Sequence, residues 1–376
     1  MAQKNIIIIC GEASGDLNAS NLASEILKIN PGINISAVGG ELLKNSGTKI
    51  LYDIKELSVM GLFDVLKKLP KFFALKKFCL DKIKEIKPDA LIFVDFSGFN
   101  LRLAKEINNA VPAIYYVSPQ VWASRRGRIK TIKEYISKII VLFKFEEEFY
   151  KKCGIQAEFS GHPLLDIVKP TMQKKELLNN LKFSESKSTI ALLPGSRKQE
   201  ILKILPVMLK AAGLITKKIE AQFVIAKSPN VDWDIYNRII KNFSLDLKIV
   251  EGKTYDCLNI SDFALVASGT ATLETAIMQK PFAIIYKMGL LNYLLYRPQV
   301  KLPYIGMVNI VAGKKIVPEF IQFRTRPKRI ADEVVSTLKD TNRINLIKSE
   351  LAEVKTLLGE PGASHRAAQI VVNFLK

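Results

Sequence analysis

The chain has 376 residues, 48% of them hydrophobic and 24% charged, which excludes a disordered chain, a collagen-like repeat and a disulfide scaffold. At about 150 residues per domain it holds two domains. Lys and Arg number 56 against 36 Asp and Glu, and the net charge of +20 calls for an anionic partner: nucleic acid, a phosphorylated ligand or acidic lipid.

Short apolar runs alternate with segments of helical periodicity. Ile6 to Cys10, Ile35 to Val38, Ala90 to Val94, Ala113 to Val117 and Ile139 to Phe143 read as buried strands, with helices over stretches such as Asn18 to Lys28 and Leu101 to Asn108. The pattern restarts with Thr189 to Leu193, Ala221 to Ala226, Leu247 to Val250, Phe263 to Ala267 and Phe282 to Tyr286. Continuous apolar strands alternating with helices predict parallel sheets covered on both faces, so an α/β protein of two Rossmann-like halves facing a cleft. Pro163 and Pro170 place the linker around residues 160–170. The expected division is a first domain over 1–165, a second over 166–355, and a C-terminal helix within 356–376. That helix follows Gly359-Glu360-Pro361-Gly362 and can pack on the N-terminal half or on a partner subunit of a homodimer.

Cys10, Cys79, Cys153 and Cys257 are isolated among apolar residues, which reads as buried free thiols of a reducing cytosol. No uncharged apolar stretch of about 18 residues predicts a membrane span, and the apolar run at the start is too short for a signal peptide. Attachment to a membrane surface stays open. The two histidines, His162 and His365, form no metal constellation. His162, in Ser160-Gly161-His162-Pro163, reads as a linker or cleft-lining residue rather than a general base.

Four turns carry candidate chemistry. Gly11-Glu12-Ala13-Ser14-Gly15-Asp16 follows the first strand, where open α/β sheets bind ligands; the plain alternative is a tight turn with Asp16 as N-cap. Asp95, in Val94-Asp95-Phe96-Ser97-Gly98-Phe99-Asn100, is either a cleft carboxylate or a cap for the next helix. Pro194-Gly195-Ser196-Arg197 combines small residues, whose N–H groups can approach a phosphate, with a guanidinium that can fork onto it. Ser268-Gly269-Thr270-Ala271-Thr272-Leu273-Glu274 ends in a carboxylate that can accept two ribose hydroxyls. Two phosphate-type turns in one half, with a positioned Glu, favour a nucleotide diphosphate group. No nucleic-acid module or stacking platform appears, so nucleic acid is not an expected partner.

Met60 to Lys87 mixes an apolar stripe (Phe72, Leu75, Cys79, Ile83, Ile86) with eight lysines, and Pro70 is expected to separate two helices. Phe63, Phe73 and Phe78 fall off that stripe. With Lys67, Lys68 and Lys71 they suit an anionic membrane surface, against the alternative of an ordinary solvated helix. Arg125, Arg126, Arg128, Lys130 and Lys133 form a second basic cluster.

Taken in order, several segments make the chain resemble the lipid-A-disaccharide synthases: Gly11 to Asp16; Val59-Met60-Gly61; Tyr116-Val117-Ser118-Pro119-Gln120-Val121-Trp122-Ala123; Leu192 to Arg197; Ala267 to Ala271; and Asn309 with Ala312-Gly313. The resemblance spans nearly the whole chain. It implies an inverting GT-B glycosyltransferase with UDP-2,3-diacylglucosamine as donor and 2,3-diacylglucosamine 1-phosphate as acceptor, peripheral on the cytoplasmic face of a Gram-negative inner membrane, with no cofactor and no metal. The implied roles are Asp95 as base and Arg197 as the cation facing the leaving group. Gly195, Ser196, Ser268, Gly269, Thr270, Glu274 and Asn309 would hold the donor, and Glu12, Ser14 and Gly15 would lie on the acceptor side. Two departures stand out. The family's Asp-x-Pro-Asp-Phe-Asn is here Asp95 to Asn100 without the second carboxylate, and its Trp-Ala-Trp-Arg is Trp122-Ala123-Ser124-Arg125. The alternative is another UDP-sugar enzyme of the same architecture, an epimerase or a glycosyltransferase for a different lipid acceptor.

Overall fold

A computed structural model describes residues 3–57, 62–289, 293 and 302–376, except for the side chains of 56, 57 and 62–69. The chain divides into two units. Unit 1 comprises Met1–Pro163 with Leu358–Lys376, and unit 2 comprises Leu164–Leu357.

Unit 1 is built on seven parallel strands: β1 (Lys4–Ile9), β2 (Ile33–Gly39), β3 (Lys49–Asp53), β4 (Ala90–Val94), β5 (Ala113–Tyr116), β6 (Lys138–Val141) and β7 (Ala157–Phe159). Their order is β3-β2-β1-β4-β5-β6-β7. Helices α1 (Ala13–Ile29), α2 (Glu41–Asn45), α3 (Leu62–Ile86), α4 (Ser97–Ile107), α5 (Arg128–Tyr135) and α6 (Lys144–Lys152) connect them. Ile6, Ile8 and Ile9 of β1 and all of β4 are fully buried, as both-faced cover requires. The order reverses between β1 and β4: the chain leaves one toward β2 and the other toward β5. Such a switch point opens a crevice at the carboxyl ends of the strands.

Unit 2 repeats the plan with α7 (Leu164–Ile167), α8 (Lys174–Leu181), β8 (Ser188–Leu193), α9 (Lys198–Ile215), β9 (Ala221–Lys227), α10 (Trp233–Ile240), β10 (Leu247–Glu251), α11 (Thr254–Ile260), β11 (Phe263–Ala267), α12 (Ala271–Ile277), β12 (Phe282–Tyr286), α13 (Met307–Ala312), β13 (Glu319–Ile321), α14 (Pro327–Leu338) and α15 (Thr341–Leu357). The sheet is parallel in the order β10-β9-β8-β11-β12-β13, with its switch point between β8 and β11. Alternation along β8 shows why the strand reads as one apolar run. Ile190 and Leu192 face the helices around α9 and α14, while Ala191 and Leu193 face those around α11 and α15.

The final helix, α16 (Ala363–Phe374), lies against α1 within unit 1. His365 Nδ1 sits 2.9 Å from Glu25 Oε2, and Arg366 donates to the carbonyls of Ser160 (2.8 Å), Pro361 (2.7 Å) and Glu360 (2.5 Å).

Three local expectations are corrected. Pro70 does not divide two helices: α3 runs through it. The missing N–H costs one helical hydrogen bond, and Pro70 is exposed, where solvent can serve the carbonyl left over. Asp16 does not cap its own helix, which begins after Glu12. It is buried and accepts the N–H groups of Gly40 (2.7 Å), Leu42 (3.1 Å) and Leu43 (3.4 Å), so it caps α2 instead. Phe78 is not surplus; its ring packs 5.7 Å from that of Tyr52, with Lys82 above it. Phe73 is 61% exposed. Lys71 is exposed as well, and the side chains of Phe63, Lys67 and Lys68 lie outside the described residues. Among the described residues no helix is long and apolar enough to cross a membrane. Cys10, Cys79 and Cys257 are buried free thiols whose pKa burial pushes up.

Candidate active site

The first switch point gathers the β1–α1 turn and the residues after β4. Asp95 and Phe96 follow β4 in left-handed backbone, φ +50° and +46°. Two bulky residues in that region cost about 1 kcal/mol or more each and persist only where neighbours hold them. The Asp95 carbonyl is held by the Tyr115 hydroxyl (2.5 Å) and by the Asn100 amide nitrogen (2.9 Å). Phe96 stacks on Phe99 at 5.0 Å and lies 6.0 Å from Phe72. A Cβ on Gly11 would fall 2.3 Å from the Phe96 ring, so only glycine fits there.

The N-cap of α4 is Phe96, whose own side chain makes no cap, and the backbone group that acts on the Asp95 carboxyl is that of Phe96. That carboxyl is raised above the usual carboxylate range, first by burial and then by the charge of Glu12. The structure therefore brings Asp95 and Glu12 together, with Gly15 in the same turn: a Cβ there would lie 3.8 Å from that of Asp95. Ser14 and Glu12 are exposed.

The motif after β5 is fixed from beneath. Val117 has φ +58°, a costly conformation for a β-branched residue. Trp122 donates its indole N–H to Glu146 Oε1 at 2.9 Å, and Tyr150 donates to the Pro119 carbonyl at 3.3 Å. Glu146 also accepts the Phe143 N–H at 3.3 Å, and burial raises its pKa to about 7. His162 is buried against Phe143, ring centroids 5.1 Å apart, and burial lowers its pKa to about 4. It is a neutral core imidazole at pH 7.

The second switch point places Gly195-Ser196-Arg197 after β8 and Ser268-Gly269-Thr270 after β11. Ser196, Arg197, Gly269 and Thr270 are exposed, and Arg197 meets Glu200 loosely at 3.8 Å with its side chain 76% exposed. Gly195 has φ +111°, and a Cβ there would meet the Glu200 carboxylate at 2.5 Å. That carboxylate accepts the Ser196 N–H at 3.3 Å. Glu200 thus occupies the turn where an anion would bind. Glu274 is mostly buried, and burial raises its pKa to about 7. No hydrogen bond to its carboxylate is made among the described residues; burial first, and then the Glu274 charge, raise the nearby Tyr255 hydroxyl to about 12.

Asn309 is placed differently from the donor-lining role expected of it. It is fully buried, and its amide is spent internally. Nδ2 donates to the Val317 carbonyl and to Glu319 Oε1 (both 2.9 Å), while Oδ1 accepts from Ile316 (2.9 Å) and Val317 (3.0 Å). Its work is to tie α13 to the approach to β13. A concavity of about 320 Å³ lined by Lys174, Lys187, Thr189 and Asp262 opens at the amino ends of β8 and β11, the pole opposite the phosphate turns.

Sequence reasoning gave no role to Glu200, Glu146 or Tyr115. Glu146 carries a faint signal, an acid three residues after Phe143 at a helix start. The left-handed pair Asp95-Phe96 carries none.

A model of the "Lipid-A-disaccharide synthetase" family matches residues 6–374. The lipid-A-disaccharide synthase of Syntrophus aciditrophicus is 40% identical, covering 100% of this chain and 99% of that one. Those of Myxococcus xanthus (36%; 98% and 97%) and Coxiella burnetii (34%; 100% of both) are similar. Among solved structures, the calicheamicin glycosyltransferase CalG4 superposes with TM-score 0.62 at 13% identity, covering 100% of this chain and 99% of that one. MurG of Acinetobacter baumannii gives 0.57 at 12% (98% and 99%). The UDP-GlcNAc 2-epimerase of Neisseria meningitidis gives 0.60 at 12% (99% of both). These likenesses establish the GT-B type of fold. They include both glycosyltransferases and an epimerase, so the choice between the two activities rests on the sequence family.

Proposed function

This chain belongs to the lipid-A-disaccharide synthetase family, and on that premise we propose how its two units divide the chemistry. The reaction is lipid A disaccharide synthesis. The 6-hydroxyl of 2,3-diacylglucosamine 1-phosphate attacks the anomeric carbon of UDP-2,3-diacylglucosamine, and the bond to the UDP oxygen breaks. A β-1,6 disaccharide 1-phosphate and UDP result. The family membership disfavours the epimerase reading.

The observation that carries the assignment of roles is the half-buried carboxylate of Asp95 beside Glu12 at the first switch point. Asp95 takes the proton of the acceptor hydroxyl as the C–O bond forms. Its raised pKa makes it a stronger base while leaving it able to ionise. Arg197, with the N–H groups of the Gly195 and Ser268–Thr270 turns, meets the charge growing on UDP. Glu274 accepts the ribose hydroxyls, which would supply the hydrogen bonds its carboxylate lacks among the described residues. Incubating the protein with both substrates and finding disaccharide plus UDP by mass spectrometry tests the reaction; hydrolysis or epimerisation of donor alone would overturn it.

Acylated substrates require access to a bilayer, and the exposed Phe73 beside Lys71 and Lys77 is the best-placed contact among the described residues. Each lysine near an anionic surface contributes about 1 kcal/mol, screened by salt. Phe73→Ser is expected to weaken sedimentation with anionic vesicles while leaving the Tm unchanged. Phe78→Ser is expected to lower the Tm, because its ring is packed on Tyr52. Unchanged vesicle binding by a folded Phe73→Ser variant would move the contact elsewhere.

A further inference from the structure

Several cations of unit 1 have an acid beside them: Lys4 pairs with Asp89, Lys76 with Glu106 and Lys138 with Glu158. Arg128 does not. It opens α5, is half-buried, and donates from Nη1 to Ser97 Oγ at 2.7 Å. The charges that act on it are those of Arg125 and Arg102, both repulsive, and the Tyr115 phenol; no carboxylate is among them. Burial and this crowding lower its pKa. Even half-buried, a guanidinium among like charges is better placed once an anion arrives. Ser97 fixes where that anion would sit. It is the first residue of α4, two positions after Asp95, and Tyr115, which lies in the field of Arg128, holds the Asp95 carbonyl. Arg128 of α5 thus meets α4 at Ser97, two positions after Asp95.

We propose that Arg128, assisted by Arg125 and Arg102, is a subsite for a phosphate monoester, and that its ligand is the 1-phosphate of the acceptor. This rests on the reaction assigned above. On a glucosamine ring the 1-phosphate and the hydroxymethyl group that carries the 6-hydroxyl are separate substituents flanking the ring oxygen, so one anchors while the other is presented to Asp95. A guanidinium fork suits a phosphate better than an ammonium does. The subsite would select phosphorylated acceptors and fix which hydroxyl reaches the base.

The test compares a short-chain 2,3-diacylglucosamine 1-phosphate with the same sugar lacking the phosphate, both as monomers, at saturating donor. The protein as it stands is expected to favour the phosphorylated acceptor by about 10- to 100-fold in kcat/KM. Arg128→Ala should bring that ratio to within about threefold, chiefly through KM. Arg128→Lys should keep part of it, and Arg125→Ala, at an exposed position, should lower it with no change in Tm. A ratio left intact in folded Arg128→Ala, or in Arg125→Ala and Arg128→Lys if Arg128→Ala does not fold, overturns the proposal. Sedimentation with vesicles containing phosphatidic acid separates the other source of a phosphate monoester. Loss of vesicle binding in Arg128→Ala with the acceptor ratio intact would make this a headgroup site and overturn the acceptor assignment. If neither acceptor is turned over, the reaction itself is wrong. Binding of glucosamine 1-phosphate, followed by NMR, then decides the subsite: it exists if Arg128→Ala abolishes the signal and does not if the signal is unchanged.

Discussion

At the end of β4 the chain half-buries a carboxylate and bends two consecutive residues into left-handed backbone, whereas at the end of β8 it leaves Arg197 exposed and folds its own Glu200 over the turn. The two crevices share a topology and differ in readiness. Asp95 is held in place by Tyr115, Asn100 and the Phe96–Phe99 stack before any ligand arrives. Under the proposed roles, the turn after β8 would exchange Glu200 for the ligand. A base must be desolvated and aimed in advance, since its proton affinity is its function. A turn that grips and then releases a highly charged product is better served by groups that remain hydrated and movable.

The largest effect expected from breaking this contrast is at the preset side. Asp95→Asn should lower kcat by about 10²–10⁴ while keeping the fold and UDP binding; near-normal turnover would leave Asp95 a structural residue. Next is Arg197→Ala, which should lower kcat/KM by about 10- to 100-fold and weaken UDP binding, because the charge it meets grows in the transition state. Unaltered UDP affinity, measured by calorimetry, would place the donor elsewhere.

Glu274 sharpens the comparison through pH. Its pKa is raised from 4.5 to about 7 in the folded chain, so the native state holds a proton that the unfolded state has lost between those values. Stability contributed at this site therefore falls as pH rises from about 4.5 to 7 and stays low above 7. Glu274→Gln should raise stability at pH 8, by about 1 kcal/mol, and change it little at pH 4, read as Tm at the two values. The same variant should raise the donor KM by about tenfold with little effect on kcat, since the ribose does not change during transfer. The smallest effect is expected at Glu200. Glu200→Gln removes a carboxylate competing with phosphate at the turn and should tighten UDP binding about two- to fivefold. Weaker binding would make Glu200 a positive contributor and end the contrast drawn here.

The strands legible in the sequence were those with a continuous apolar run: Ala90 to Val94, Phe263 to Ala267 and Phe282 to Tyr286 appear with the bounds expected of them. The strands that were not anticipated, β3, β7 and β13, all lie at sheet edges and are only half-buried, so no apolar run marks them. The turns after β1, β4, β8 and β11 were legible as turns because small residues after an apolar strand have few other uses. What each side chain does in them was less so. Asp16 and Asn309 are polar residues of the matching motifs, yet both are spent on holding backbone, and only their partners at Gly40 and Val317 reveal it. Arg128 read as one of a run of basic residues, because nothing in the chain order says that Ser97 will lie beneath it.

The division of the chain also constrains the order in which it can be assembled. Unit 2 is continuous, and all of its strands and helices have been synthesised by Leu357. Unit 1 begins first but lacks α16 until residues 358–376 have emerged, so one face of α1 stays uncovered through the synthesis of some two hundred residues. Domains folding as the chain is made would thus finish in the reverse of their genetic order. Through that interval the apolar surface of α1, with Leu22 and Ile26 among its buried residues, would be open to chaperones or to the α16 of another copy.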